Sequence, residues 1–114
     1  MIEDFYDIVA RHEEGGETVF HVALRPDCKV YEGHFPGSPV APGVCNIQMI
    51  RECAELVSGR PLLISKIGQC RMTKLITPGE FPELDVHVAL DGESLVASIV
   101  SGETVCLTLK ATVE

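Results

Sequence analysis

The sequence predicts an α+β fold in which one central helix is wrapped by an antiparallel sheet of five or six strands. Three observations carry this prediction. Val44, Ile47, Ile50 and Ala54 recur at helical spacing after Pro42-Gly43, and Gly59-Arg60-Pro61 supplies the stop, which gives a helix of about four turns. Residues 83–91 alternate cleanly, with Leu84, Val86, Val88 and Leu90 on one face against Asp85, His87 and Ala89 on the other. Asp91-Gly92 and Gly102-Glu103 then mark two tight connections between three antiparallel strands.

The remaining elements follow in chain order. Ile2, Phe5, Ile8 and Val9 recur at helical spacing, so residues 2–12 are expected to form a short amphipathic helix, broken by Gly15-Gly16. Thr18 to Leu24 alternates with Phe20, Val22 and Leu24 on one face and reads as a strand, and Cys28 to Tyr31 as a second short one. Between Gly33 and Gly43 lie Pro36, Pro39 and Pro42 with Gly37, so neither helix nor sheet runs through. Leu62 to Ile76 reads as a long strand interrupted near Gly68, and Thr77-Pro78-Gly79-Glu80 as a turn. A helix so wrapped is buried on most sides, which makes each polar residue on it noteworthy.

Composition sets the bounds. The 114 residues, 46% apolar and 23% charged, suit one domain spanning 1–114 and exclude wholesale disorder. No apolar run reaches the ~18 residues of a membrane helix. The N-terminal MIEDFYDIVARHEE carries acids where a secretory signal carries Lys or Arg. Seventeen acids against nine bases give a net charge of −8, which argues against a general binder of nucleic acid or anionic membrane. Cys28, Cys45, Cys53, Cys70 and Cys106 are odd in number and form no C-x-x-C pair, so buried reduced thiols in a cytosolic protein are expected, with neither disulfides nor a zinc site.

The stretch Gly33-His34-Phe35-Pro36-Gly37-Ser38-Pro39-Val40-Ala41-Pro42-Gly43-Val44 is the most informative. A loop rich in Pro and Gly loses little chain entropy on ordering, so its one His can be held in fixed geometry. The helix that starts at its end has first-turn N–H groups without intrahelical partners, and Gly43 carries no side chain to keep a ligand away. Its N–H, with the positive helix end behind it, suits polarisation of a carbonyl oxygen. Two readings stand: a His removing a proton alpha to a carbonyl, or a structural loop with a hydrogen-bonded His.

GHFPGSPVAPGV closely resembles the signature of the hot-dog-fold 3-hydroxyacyl-[acyl carrier protein] dehydratases of fatty acid synthesis. Downstream, Arg71-Met72-Thr73-Lys74-Leu75-Ile76-Thr77-Pro78-Gly79-Glu80 is similar to that family's strand ending in a Pro-Gly-acid turn. The resemblance implies a hot-dog fold and dehydration of a 3-hydroxyacyl thioester to its trans-2-enoyl form. It assigns His34 as the base that takes the alpha proton and Gly43 as the holder of the thioester oxygen. Phe35, Pro42 and Val44 are the accompanying substrate-binding candidates. It further implies acyl carrier protein as partner, a homodimer or trimer of dimers with sites across the dimer interface, and an acyl tunnel along the helix.

The sequence departs from the family at one place. The family has an acid fourteen residues after the motif His, where this chain has Gln48, and tends to have Gln four residues later, where this chain has Glu52. An amide donates a hydrogen bond but supplies no proton to a departing hydroxyl. Positions four apart share a helix face about 6 Å apart in rise, so Glu52 either reaches the same cavity or simply pairs with a surface base such as Arg51. Gln48 is expected to face the site in either case, orienting a water or gripping the substrate hydroxyl.

Elsewhere, His12, His21 and His87 are expected at the surface, and no pairing at metal spacing suggests a cofactor. Residues 51–74 hold five bases against two acids, a net of +3 that leaves −11 on the other ninety residues. Gathered at a tunnel mouth these bases would dock an acidic carrier; scattered, they are ordinary surface charge. Three functions compete: a thioester dehydratase, an acyl-binding or partner subunit lacking the helix acid, and a hot-dog thioesterase.

Overall fold

The computed structural model describes residues 5–27 and 43–114. The expected strand Cys28–Tyr31, and the motif residues from Gly33 to Pro42 including His34 and Phe35, lie outside the described residues. Six strands form one sheet: β1 (Tyr6–Glu14), β2 (Glu17–Leu24), β3 (Ile64–Met72), β4 (Glu83–Asp91), β5 (Ser94–Ser101) and β6 (Thr104–Val113). Their order is β1-β2-β4-β5-β6-β3, and each neighbouring pair is antiparallel. The helix α1 (Gly43–Ser58) lies on one face of this sheet, against β4 and β5.

The N-terminal segment corrects the sequence reading. Residues 6–14 are a strand, not part of a helix over 2–12, and the strand carries a bulge. β1 pairs Ile8 with Val22 and Ala10 with His21, so Val9 is an extra residue. Tyr6, Ile8 and Arg11 consequently pair with the core residues Leu24, Val22 and Phe20, and the extra Val9 next to Ile8 breaks the strict alternation by which a strand is read. The Arg11 guanidinium stacks 5.2 Å from the centre of the Phe20 ring, as that register requires. Gly15 and Gly16 do not merely break an element. Both have positive φ, 56° and 84°, and make the two-residue hairpin turn between Glu14 and Glu17 that favours glycine at both central positions.

The strands read by alternation form as expected. Leu84, Val86 and Val88 of β4 meet Phe20 and Val22 of β2 and Leu95, Ala97 and Ile99 of β5 in the core. β3 is shorter than the 62–76 run read from sequence and contains two bulges, at Ser65 and at Gly68, the second being the interruption expected there. Its inward row is therefore Ile64, Ile67, Cys70 and Met72, opposite Val113, Ala111, Leu109 and Leu107. β3 lies at the edge of the sheet and is exposed from Ser65 to Met72. Cys45, Cys53 and Cys106 are buried as expected, whereas Cys70 is exposed on that edge.

Among the described residues the helix is enclosed on one side only. Cys45, Asn46, Met49, Ile50, Glu52, Cys53 and Ala54 are buried, while Val44 is 74% exposed and Ile47 is half-buried. The stripe Val44-Ile47-Ile50-Ala54 thus straddles two faces, because 3.6 residues per turn carries Val44 away from Ile50. Burial on most sides is not observed.

The histidines expected at the surface are paired rather than free. His21 on β2 faces Asp85 on β4, with Nδ1 2.8 Å from Asp85 Oδ1 and Nε2 2.5 Å from Glu83 Oε1. These two carboxylates, Asp85 first, raise its pKa above the ordinary 6.5. The folded state therefore holds the proton more tightly than the unfolded chain, so the clamp stabilises most below pH 6.5 and fades as pH rises through the folded-state value. We expect the Tm difference between wild type and His21→Asn to be larger at pH 6 than at pH 9. A difference independent of pH would show that the clamp adds nothing.

Candidate active site

Two grooves flank α1. The first, about 480 Å³, runs from Val44 along Ile47, Gln48 and Arg51, and its other wall is Leu63 to Ile67 at the start of β3. Its wall is mostly apolar and begins at the helix N-terminus, where Gly43 is the first helical residue. A Cβ at Gly43 would stand 3.6 Å from Met72 Cε, an ordinary contact, so the protein itself has room for a side chain there. The second groove lies at the other end of the helix, lined by Glu52, Glu55, Leu56 and the Gly59-Arg60-Pro61 stop.

Gln48 and Glu52 therefore part company. Gln48 lines the first groove; Glu52 lines the second and is only 5% exposed. Helix geometry explains the split, since a step of four residues turns by about 40° past a full turn, enough to move a side chain from the open face into the seam against the sheet. Among the described residues, Glu52 meets two donors. It accepts a hydrogen bond from the Tyr6 hydroxyl at 2.7 Å and another from Gln48 Nε2 at 3.0 Å, one on each carboxylate oxygen. Burial, and behind it the bond to Glu52, push the Tyr6 phenol well above its ordinary range. Burial and then Glu52 push the adjacent Cys53 thiol up to about 12.

The other end of the Gln48 amide is held too. Arg51 donates from Nε to Gln48 Oε1 at 3.1 Å, and from one terminal nitrogen to Glu55 Oε2 and to the Leu62 carbonyl, both at 3.0 Å. Glu55 in turn accepts the Leu62 backbone N–H at 2.8 Å, tying the end of α1 to the chain that leads into β3. The amide is bracketed by a cation on its oxygen and an anion on its nitrogen. Flipping it would turn NH2 against guanidinium and C=O against carboxylate, so electrostatics fixes its orientation. One Gln48 N–H is committed to Glu52, and the second is available to a ligand in the groove.

Sequence reasoning placed Gly43, Val44, Gln48 and Glu52 on one helix, and the structure brings Val44 and Gln48 to one groove, with Gly43 just before them at the helix start. His34, Phe35 and Pro42 lie outside the described residues. Tyr6 and Arg51 were missed as site residues: the helical reading of 2–12 hid Tyr6, and Arg51 looked like a surface base. Asn46 is fully buried with its amide atoms unpaired among the described residues, but it shares the sheet-facing side of Met49, Ile50 and Cys53, away from the groove. Among the described residues no cluster of His, Cys, Asp and Glu is arranged to hold a metal, and no helix is long and apolar enough to cross a membrane.

Comparison with known proteins agrees with this geometry. The family model of ApeI-like proteins, described as ApeI dehydratase, matches residues 10–109. The chain belongs to the ApeI-like dehydratase family. It is 28% identical over 113 residues to the 3-hydroxyacyl-[acyl-carrier-protein] dehydratase FabZ of Geobacillus thermodenitrificans, covering 90% of this chain and 78% of that one. It is 27% identical over 111 residues to the FabZ of Bacillus velezensis, covering 88% and 79%. Among solved structures, the dehydratase heterocomplex ApeI:P of Xenorhabdus doucetiae superposes with a TM-score of 0.79 at 19% identity, over 94% of this chain and 96% of that one. The ApeI-like chain thus has the hot-dog fold that its motif implied, with one helix against a six-stranded antiparallel sheet.

The Arg51 bracket gives a direct test. Arg51→Met keeps the aliphatic stem but removes hydrogen bonds to Gln48, Glu55 and Leu62, and leaves Glu55 and the Leu62 carbonyl short of a donor. We expect a loss of about 1–3 kcal/mol, read as a lower urea midpoint at unchanged m-value. An unchanged midpoint would show that the bracket is not maintained in solution.

Proposed function

We propose that this ApeI-like chain dehydrates a 3-hydroxyacyl thioester carried on acyl carrier protein to the trans-2-enoyl thioester, in fatty acid or related lipid or polyketide synthesis in the cytoplasm. The observation that carries the reading is the apolar groove that opens at the N-terminus of α1, next in sequence to GHFPGSPVAPGV, with one oriented amide in its wall. The acyl chain fits the apolar wall of Val44, Ile47, Leu63 and Ile67, and the motif resemblance adds Phe35 and Pro42 as substrate-binding candidates.

In this reading the Gly43 N–H and the helix dipole stabilise the negative charge that develops on the thioester oxygen. His34 takes the proton from the alpha carbon, and the electron pair of that C–H bond becomes the carbon–carbon double bond. The Gln48 N–H holds the 3-hydroxyl oxygen as its bond to carbon breaks. The proton taken by His34 passes to that oxygen, which leaves as water, so no second acid is required. Glu52 acts behind Gln48 and not as the proton donor. Its donors at both oxygens and its place outside the groove favour that role over direct acid catalysis.

A homodimer completes the assignment. β3 presents an open edge, and Leu63, Ile67, Met72 and Leu75 beside it are 63%, 46%, 36% and 61% exposed, an apolar margin that a second copy would cover. A second reading, a subunit that depends on a different partner for its acid, draws on Gln48 itself. The ApeI of the similar Xenorhabdus structure also occurs as a heterocomplex.

Incubation with a 3-hydroxyacyl pantetheine thioester separates these readings. We expect enoyl absorbance to appear without free thiol, and to fall by about 10²–10⁴ in His34→Ala. Thiol release would indicate a thioesterase instead, and turnover only after adding a paralogue would indicate the dependent subunit. Gly43→Ala has room in the fold and improves helix propensity, so its Tm should hold while kcat/KM falls at least tenfold. Unchanged kcat/KM would remove Gly43 from the thioester contact.

A further inference from the structure

Tyr6 lies at the start of β1, 46 residues before Glu52 in sequence, yet its hydroxyl is buried against that carboxylate. A phenol so placed adds nothing to an apolar core that a phenylalanine would not, since its ring already packs edge-on against Phe5 with centroids 6.2 Å apart. What the hydroxyl adds is a donor on Glu52 Oε1, which leaves Oε2 to receive Gln48 Nε2. Without it, Oε1 loses a donor that sets the plane of the carboxylate, and the amide on Oε2 is engaged at a different angle. The amide's remaining N–H would then lose its fixed direction into the groove.

We infer that Tyr6 is a positioning residue of the dehydratase site: it fixes the Glu52 carboxylate, which fixes the Gln48 amide that holds the departing 3-hydroxyl. Tyr6 touches no substrate and acts only through the two residues between. The inference rests on the proposed dehydration, which supplies the hydroxyl that Gln48 grips. It makes β1, the far edge of the sheet, part of the site by a hydrogen-bond chain from strand to helix to groove.

Tyr6→Phe tests this with one atom removed and the ring retained. The interaction matters most as the hydroxyl leaves, so kcat should fall about tenfold, the equivalent of ~1.4 kcal/mol, with KM changed less than about twofold. In a Gln48→Ala background the same substitution should change kcat by less than about twofold, because nothing is left to position. Glu52→Gln, which keeps the size of the side chain, should match or exceed the Tyr6→Phe loss and be equally silent in Gln48→Ala. The Gln48 side-chain amide resonances, assigned by their absence in Gln48→Ala, should move in Tyr6→Phe. Equal losses in both backgrounds overturn the inference, as does a fall in Tm with kcat and the amide resonances unchanged. If the wild type fails to turn over the thioester, the functional reading fails, and the amide resonances still decide whether Tyr6 sets Gln48.

Discussion

Among the described residues the six-stranded sheet covers one side of the sixteen-residue helix, and most of the site follows from that constraint. The sheet covers the side of α1 that carries Met49, Ile50, Cys53 and Ala54, which supplies the apolar burial that holds the fold together. The opposite side, Val44, Ile47, Gln48 and Arg51, has among the described residues only the edge strand β3 and its approach beside it. A groove therefore exists because the fold runs out of sheet. It is apolar because helix residues that are not committed to the core still present methyl groups to β3.

The polar chemistry sits along the seam between these two sides. Glu52 is buried at the seam and a buried carboxylate needs donors, which Tyr6 and Gln48 supply. Arg51, on the open side, anchors the same amide from its oxygen and secures the chain toward β3 through Glu55 and Leu62. Three segments distant in sequence, β1, α1 and the approach to β3, thereby share one hydrogen-bonded system. Shifting any of them moves the amide that faces the groove.

Legibility in the sequence followed the regularity of pairing. β4 pairs on both sides without a register shift, so its alternation was readable residue by residue. β1 and β3 each carry bulges, and an extra residue resets the parity of every position after it. In β1 the extra Val9 broke the alternation that would have shown a strand, and the helical reading of Ile2, Phe5 and Ile8 concealed Tyr6. In β3 the reset put Cys70 on the inward row of an open edge, a place that no spacing argument distinguishes from core. The site was readable where it was local: the helix start at Gly43 and the Gln48–Glu52 pair lie on one element. Its support was not, because Tyr6 reaches Glu52 only through the pairing of β1 with β2 and the packing of α1 on the sheet.

The order of amide and acid on α1 is an interdependence and not a permutation. At position 48 the side chain has Arg51 at one end and the Glu52 carboxylate 3.0 Å from the other. A carboxylate there would satisfy Arg51 and confront Glu52 with like charge, so one of the two would have to hold a proton. An amide meets both neighbours at once, and each interaction polarises it in the same sense as the other. The result is a neutral donor facing an apolar groove, with the negative charge drawn back into the seam beside Tyr6. Moving the acid one turn along the helix thus removes a proton donor from the groove. In exchange it gives the groove an amide whose orientation is set from both ends.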